Sequence, residues 1–263
     1  MLIPGSDRHG SFAGVPVHWH GTLILIPLFL GMQFQRFGLV AGGLLTFALT
    51  LTLVGSILLH EAAHVRAARH VGVGARAIVL HGFGGFALID AVPMRPMHRI
   101  LIALAGPLAN LALALAGYGL LRIAEFALVP AVSERVGAYG LTLPPLARSL
   151  SGNAVLAGLK AFVTLNLLLG TVNLLPAFPL DGGAIVRTLA GLRLAPLPAV
   201  RVTAVLGLVS IPLAGHAVGL AGLGASITGF GAFALVLLLI VVNGWALWQP
   251  AAFLPDEAGQ ALE

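Results

Sequence analysis

The sequence predicts an all-α polytopic membrane protein with about six transmembrane helices. Of its 263 residues, 59% are hydrophobic and only 9% are charged, and the mean hydropathy is +1.02. Soluble domains carry about 25% charged residues, so this composition excludes a water-soluble globule. The apolar residues also form several runs long enough to cross a bilayer.

Six apolar runs are the predicted spans. They cover residues 19–34, 37–70, 98–123, 154–189, 200–222 and 226–248. Pro27 and Pro212 interrupt the first and the fifth run, which is acceptable because kinked helices are common in membranes. Trp19, Trp245 and Trp248 lie at run ends, where interfacial aromatic residues belong.

The distribution of basic residues predicts the orientation. Arginines are more frequent in the connections after the second and fourth helices than on the opposite side. This bias places both termini and the end of the second helix in the cytoplasm, in what we expect to be a bacterial inner membrane. The basic residues are scattered beside apolar spans, so we expect no nucleic-acid partner. No sequence feature specifies an oligomeric state.

Residues 75–90 depart from the helical pattern. Two short β-prone runs, 78–80 and 86–89, flank a glycine-rich turn, which predicts a β-hairpin after the second helix. Non-helical backbone at membrane depth must be buried in protein or line a wet cavity, so the hairpin is re-entrant or interfacial. Its edge can pair with an extended peptide. The alternative is an interfacial hairpin without a substrate role.

A cluster of ionisable residues interrupts the second apolar run. Residues 39–59 carry no charge, and His60, Glu61 and His64 follow directly. Ionisable groups at membrane depth are costly and indicate a functional site. On a helix, residues i and i+4 share one face, so His60 and His64 can bind one metal ion. Glu61, about 100° round the helix, can act as a base without being a ligand.

A catalytic zinc site needs a third protein ligand. The chain has no cysteine, so this ligand must offer nitrogen or oxygen. Among the nine acidic residues, only Glu61 and Asp181 lie inside long hydrophobic segments. Asp181 follows two prolines that should break the fourth helix, and it lies at a depth similar to that of His60. Asp181 is therefore the predicted third ligand.

Together these residues resemble the site-2 protease family of intramembrane zinc metalloproteases. The resemblance rests on His-Glu-Ala-Ala-His at 60–64, on the Asn…Pro…Leu-Asp-Gly pattern at 173–182, on Gly-Pro-Leu-Ala-Asn at 106–110 and on the glycines at 84–85. It covers roughly residues 15–200. Any one motif alone is weak, but their order and their membrane setting make the match specific.

The resemblance implies a ligand set and supporting positions. It implies Zn²⁺ held by His60, His64 and Asp181, with Glu61 as the general base. Further substrate-binding or supporting residues are expected at Asn173, Pro176, Gly182, Gly84, Gly85 and Asn110.

The resemblance also implies a function. We expect one transmembrane protease domain over residues 1–263, with its core at about 15–200 and two additional helices at about 200–250. The chain lacks segments long enough for PDZ or CBS domains, which suggests a minimal family member. The expected activity is hydrolysis of peptide bonds within or near the transmembrane segment of membrane-tethered regulatory proteins, such as anti-sigma or pro-sigma factors.

Two other functional classes fit part of the pattern. One is a membrane zinc transporter or metal-sensing protein that uses the same ligands without hydrolysis. A transporter is expected to have ionisable residues along a path, whereas these cluster at one depth. The other is a catalytically silent relative that acts as a binding partner. For residues 106–110, close helix packing is an alternative to a role at the site.

Overall fold

The computed structural model describes residues 6–35, 38–90, 94–138, 145–220 and 230–254. Seven helices make up most of these residues: α1 (Leu25–Phe34), α2 (Leu39–His70), α3 (Pro96–Ala138), α4 (Pro145–Asn173), α5 (Asp181–Ala190), α6 (Pro196–Leu220) and α7 (Phe230–Trp248). Four strands form one sheet: β1 (Ser6–Phe12), β2 (Val15–His20), β3 (Ala75–His81) and β4 (Gly84–Ile89). Short 3-10 helices cover Gly21–Ile24 and Pro250–Phe253.

Four of the described helices are long and apolar enough to cross a membrane, namely α2, α3, α4 and α6. Their outer surfaces expose large apolar side chains such as Phe47, Phe126 and Leu213. A surface of this kind is suited to lipid rather than water. The chain is therefore a membrane protein with at least these four candidate spans in its described part.

The predicted set of six long spans differs from the structure. The first run is wrong for residues 19–24, because Trp19 belongs to β2 and helix α1 has only 10 residues. The fourth predicted helix is also interrupted, since α4 ends at Asn173 and α5 begins at Asp181. Helix α7 has 19 residues, and its fully described part, Val236–Trp248, is apolar. The prediction of several apolar helices is confirmed, whereas six full spans are not.

The β-hairpin predicted after the second helix is present, but it is half of a larger sheet. The strand order is β1-β2-β3-β4, with antiparallel outer pairs and a parallel central pair. Val17 lies opposite Ile78 in the central pair. The prediction of an otherwise all-helical chain is therefore wrong for residues 6–20, which form a second hairpin.

The sheet packs against the part of α2 that carries the histidines. Alternate residues of β2, Val15 and Val17, point inward and are buried with Ile78 of β3. The α2 side of this core includes Ile57 and Val65, which bracket the histidine segment. Burial of these branched side chains holds the sheet over the functional face of α2.

Glycines at both ends of α2 define its length. Gly38 has φ 81° before the first turn and Gly72 has φ 78° after the last one, and these left-handed values suit glycine. In the last turn, the Arg69 guanidinium donates to the carbonyl oxygens of Ala13 and Gly14. This contact anchors the β1–β2 turn to the end of the histidine helix.

Candidate metal centre

Helix α2 brings His60, Glu61 and His64 to one buried face. The exposed fractions are 6% for each histidine and 5% for the glutamate. The two imidazole rings are 4.7 Å apart between centroids at an interplanar angle of 80°, and their Nε2 atoms are 3.1 Å apart. The i, i+4 spacing therefore converges both Nε2 atoms on one point.

Asp181 reaches the same point from the first turn of α5. Its Oδ2 lies 3.1 Å from His60 Nε2, and its Oδ1 lies 3.4 Å from His64 Nε2. Zinc–nitrogen and zinc–oxygen bonds of about 2.0–2.1 Å in a tetrahedron put ligand atoms about 3.3 Å apart. The observed separations match this spacing, so the three side chains can hold a metal ion.

The packing around Asp181 depends on glycine. A Cβ atom at Gly182 would overlap the carbonyl oxygens of Leu174 and Leu175. Without a side chain, the start of α5 can lie directly against the segment that links it to α4. This close approach explains why the sequence has glycine immediately after the predicted ligand.

The Nδ1 atom of each histidine is hydrogen-bonded, which leaves Nε2 for a metal. His64 Nδ1 is 2.7 Å from the carbonyl oxygen of Ile102. A backbone carbonyl can only accept, so Nδ1 carries the proton and Nε2 of the neutral ring presents a lone pair. Fixing the tautomer of a metal-binding histidine in this way is a common function of its neighbours.

His60 is fixed by a chain of buried amides. Its Nδ1 donates to Asn110 Oδ1 at 2.5 Å, and Asn110 Nδ2 donates to Asn166 Oδ1 at 3.0 Å. Asn166 Nδ2 in turn donates to the carbonyl oxygen of Phe162 at 3.0 Å. Because this last acceptor is a backbone oxygen, it determines the orientation of both amides. His60 Nε2 is then also a lone-pair donor to the metal position.

Gly106 of α3 lies against this position. A Cβ atom there would overlap the Nε2 atoms of both His60 and His64 and would fill the space between them. Only glycine leaves a space large enough for a metal ion between the two rings. The donor set, the two tautomers and this space all fit a zinc ion.

A cavity of about 410 Å³ opens beside the three candidate ligands. Glu61 and Asn173 line it, together with Gly85 and Phe86 of β4. A Cβ atom at Gly85 would lie 2.9 Å from Glu61 Cγ, so the strand packs directly on the glutamate. The cavity therefore brings a buried carboxylate, a possible metal centre and one edge strand of the sheet together.

The remaining predicted residues differ in whether they line the cavity beside the candidate metal centre. Asn173 lines the cavity, and its Nδ2 donates to the carbonyl oxygen of Leu169 at 2.9 Å. Gly84 has φ 139° at the start of β4, a value that favours glycine, and it does not line the cavity. Pro176 lies in the segment between α4 and α5 and does not line the cavity either.

The sequence analysis does not single out Asn166, and for Gly106 it leaves both helix packing and a role at the site open. Asn166 is fully buried in α4 and fixes the orientation of Asn110. A detectable signal was present, since Asn166 is a polar residue inside a strongly apolar run. The search for a third ligand considered acidic residues and therefore passed over buried amides.

Comparison with known proteins identifies relatives. The chain is 30% identical over 203 residues to the zinc metalloprotease MJ0392 of Methanocaldococcus jannaschii, covering 77% of this chain and 50% of that protein. It is 33% identical over 187 residues to the Rip3 protein of Mycobacterium tuberculosis, covering 68% of this chain and 42% of that protein. The chain thus spans about half the length of these curated relatives.

The fold is also that of a solved structure. The Site-2 Protease from Methanocaldococcus jannaschii superimposes with a TM-score of 0.56 at 24% identity, covering 92% of this chain and 95% of that chain. The model of peptidase family M50 matches residues 48–214, a segment that includes the histidine motif and Asp181. The resemblance predicted from the sequence is confirmed, and the chain belongs to peptidase family M50.

Proposed function

We propose that the protein is an intramembrane zinc metalloprotease. The observation that carries the proposal is the convergence of His60, His64 and Asp181 beside Glu61 in a cavity bordered by β4. Two imidazoles and a carboxylate form a ligand set typical of a catalytic zinc site, and a separate buried glutamate is suited to acid–base work. Membership of family M50 and the names of its relatives support the same activity.

In this proposal each side chain has one role. His60, His64 and Asp181 would hold Zn²⁺, which would supply Lewis-acid activation of water and of the scissile carbonyl. Glu61 takes the proton from the attacking water and later delivers it to the leaving amine. Asn173 borders the same cavity, where it can contact the substrate backbone.

We further propose that β4 receives the substrate as an extended strand. It is an edge strand of the sheet, and several of its residues line the cavity beside Glu61. A transmembrane helix hides its backbone carbonyls, so the substrate must unwind before hydrolysis. Pairing with β4 replaces the helical hydrogen bonds that the peptide loses, and it places the peptide backbone beside Glu61.

The proposed substrates are membrane-tethered regulatory proteins of the anti-sigma or pro-sigma type. In this proposal the chain is one protease domain, with a core at about residues 15–200 and further helices beyond it. It resides in the inner membrane of a bacterium with the active site toward the cytoplasm. The arginine bias of the connections supports this orientation.

The absence of cysteine allows a direct test of orientation. In spheroplasts, a Leu39→Cys variant should react with a membrane-impermeant maleimide, because residue 39 is exposed at the outer end of α2. A Met97→Cys variant, at the opposite end of the membrane, should react only after permeabilisation. The reverse pattern would contradict the proposed orientation.

The decisive test of activity compares Glu61→Gln with wild type. Each is co-expressed with candidate membrane-anchored regulators, and both zinc content and substrate cleavage are measured. Glu61→Gln should retain zinc and lose at least about a hundredfold in cleavage rate, whereas Asp181→Ala should lose zinc as well. If the wild type transports metal but has no peptidase activity, and these variants lose that transport, the proposal is refuted in favour of a transporter.

A further inference from the structure

A buried asparagine on the C-terminal helix holds the segment that leads to Asp181. Asn243 of α7 is fully buried. Its Oδ1 accepts from the backbone N–H of Phe178 at 3.1 Å, and its Nδ2 donates to the carbonyl oxygen of Phe178 at 2.9 Å. Nδ2 also donates to the carbonyl oxygen of Leu239, one turn earlier in α7, at 2.8 Å. Both the oxygen and the nitrogen of the Asn243 carboxamide are thus hydrogen-bonded.

The segment that receives this contact has irregular backbone. It links the end of α4 at Asn173 to the start of α5 at Asp181. Its backbone groups cannot all be satisfied by a helical ladder, and in apolar surroundings unpaired groups are strongly unfavourable. The Asn243 carboxamide pairs with both polar groups of Phe178 in the manner of an adjacent strand. Phe178 lies three residues before the carboxylate that meets His60 and His64.

Neighbouring residues are shaped around this contact. A Cβ atom at Gly207 of α6 would overlap the Asn243 carboxamide, so glycine provides the space for it. The Phe178 side chain is buried against Val200 and Ala204 of α6 and against Ala246 of α7. The segment before Asp181 is therefore packed closely against side chains of α6 and α7.

We infer that Asn243 is a positioning residue for the metal centre. By fixing the backbone of Phe178, it sets the position from which Asp181 approaches the two histidines. Helix α7 lies outside residues 48–214, the part matched by the family model, yet it determines the geometry of the third ligand. The inference rests on the proposed zinc site and assigns to α7 a role beyond scaffolding.

The test measures Zn²⁺ affinity of the full-length protein in detergent by competition with a chelator of known affinity. Asn243→Leu replaces the carboxamide with an apolar group of similar size, and its affinity should fall about 10- to 100-fold, as for other residues that support a ligand. Thr203→Val is the matched control. Thr203 is equally buried on α6, but among the described residues its hydroxyl bonds only to the carbonyl oxygen of Ala199 of its own helix, so zinc affinity should stay within twofold.

A second readout separates positioning from general destabilisation. The visible bands of the Co²⁺-loaded protein depend on ligand number and geometry. Asn243→Leu should change these bands, and Thr203→Val should not. Asn243→Asp retains the acceptor for the Phe178 N–H and loses the donor, so it should have an intermediate affinity. It also provides the test if the leucine variant does not fold.

Asp181→Ala serves as the reference variant. Loss of zinc in Asp181→Ala together with wild-type affinity and wild-type Co²⁺ bands in Asn243→Leu and Asn243→Asp would overturn the inference alone. Wild-type zinc affinity in Asp181→Ala would overturn the proposed site and the inference with it. Weakened affinity in both Asn243 variants, with Thr203→Val unaffected, supports the inference.

Discussion

His60 Nδ1 lies 2.5 Å from Asn110 Oδ1, and this hydrogen bond joins the histidine helix α2 to the centre of α3. It reaches the backbone of α4 through Asn166. Three helices therefore determine which nitrogen of one imidazole is free. A metal ligand in an apolar bundle needs such support, because apolar neighbours cannot orient its ring.

Removal of this support should weaken metal binding. Asn110→Leu deprives His60 of its acceptor, so the ring is no longer held with Nε2 toward the metal position. We expect zinc affinity to fall about 10- to 100-fold, measured by chelator competition. Thr171→Val is a suitable control, since in the described part of the chain the Thr171 hydroxyl bonds only to carbonyl oxygens of α4. Equal affinities in the two variants would contradict the assigned tautomer.

Gly106→Ala should abolish high-affinity zinc binding without unfolding the protein. The added methyl group occupies the space between the two Nε2 atoms. Alanine in a helix is otherwise favoured over glycine by about 1 kcal/mol, so the substitution stabilises the helix itself. In Gly119→Ala on the same helix, the new methyl group meets no atom of the described residues within 4 Å, so this variant should bind zinc normally. Thermal melts with and without Zn²⁺ measure both effects, and a wild-type zinc-dependent shift in Gly106→Ala would refute this account.

Gly85→Ala should impair catalysis while zinc remains bound. The new methyl group would lie 2.9 Å from both Glu61 Cγ and Ile57 Cγ2, so either the strand or the base must move. A small displacement of a catalytic group costs up to about a hundredfold in rate, and we expect a loss of at least about tenfold. In Gly158→Ala on α4, no described residue lies within 4 Å of the new methyl group, so this variant should cleave substrate at the wild-type rate. Parallel losses of zinc and activity would point instead to a disturbed metal site.

A photoreactive residue at position 86 should capture substrate. Phe86 lies on the edge strand, lines the cavity and is 38% exposed. With benzoylphenylalanine there in a Glu61→Gln background, irradiation should cross-link a co-expressed substrate. The same residue at Phe126, which is exposed on α3 and does not line the cavity, should give no specific adduct. Capture at Phe126 alone would exclude β4 as the docking strand.

The sequence indicates the residues of the candidate metal centre because charge is rare in apolar runs. Glu61 and Asp181 stand out in a chain with so few ionisable residues, and α2 has the i, i+4 geometry that the motif requires. Asn166 and Asn243 were missed because an amide carries no charge, although burying one in a bilayer also requires a specific partner. Pairing of Asn243 with Phe178 joins residues 65 apart in the chain, and no local pattern indicates it.

The strands near the N-terminus were missed for a different reason. Val15 and Val17 alternate with polar or proline positions, which is a strand pattern, but the run is short and is followed by apolar residues. Its position at the end of an apolar run predicts that Trp19 is an interfacial residue at the start of a helix. Its strand conformation depends on pairing with Leu80, so the sheet itself overrides the local preference.

The parallel pairing of β2 with β3 has a consequence for biogenesis. Val17 and Ile78 are 61 residues apart, and the whole of α2 lies between them. Closing so long a loop is slow compared with forming a helix. During synthesis the first hairpin therefore precedes its partner strand by the whole of α2, and the sheet can close over the histidine segment only after β3 has emerged. The candidate metal centre is completed later still, because Asp181 follows the whole of α3 and α4 in the chain.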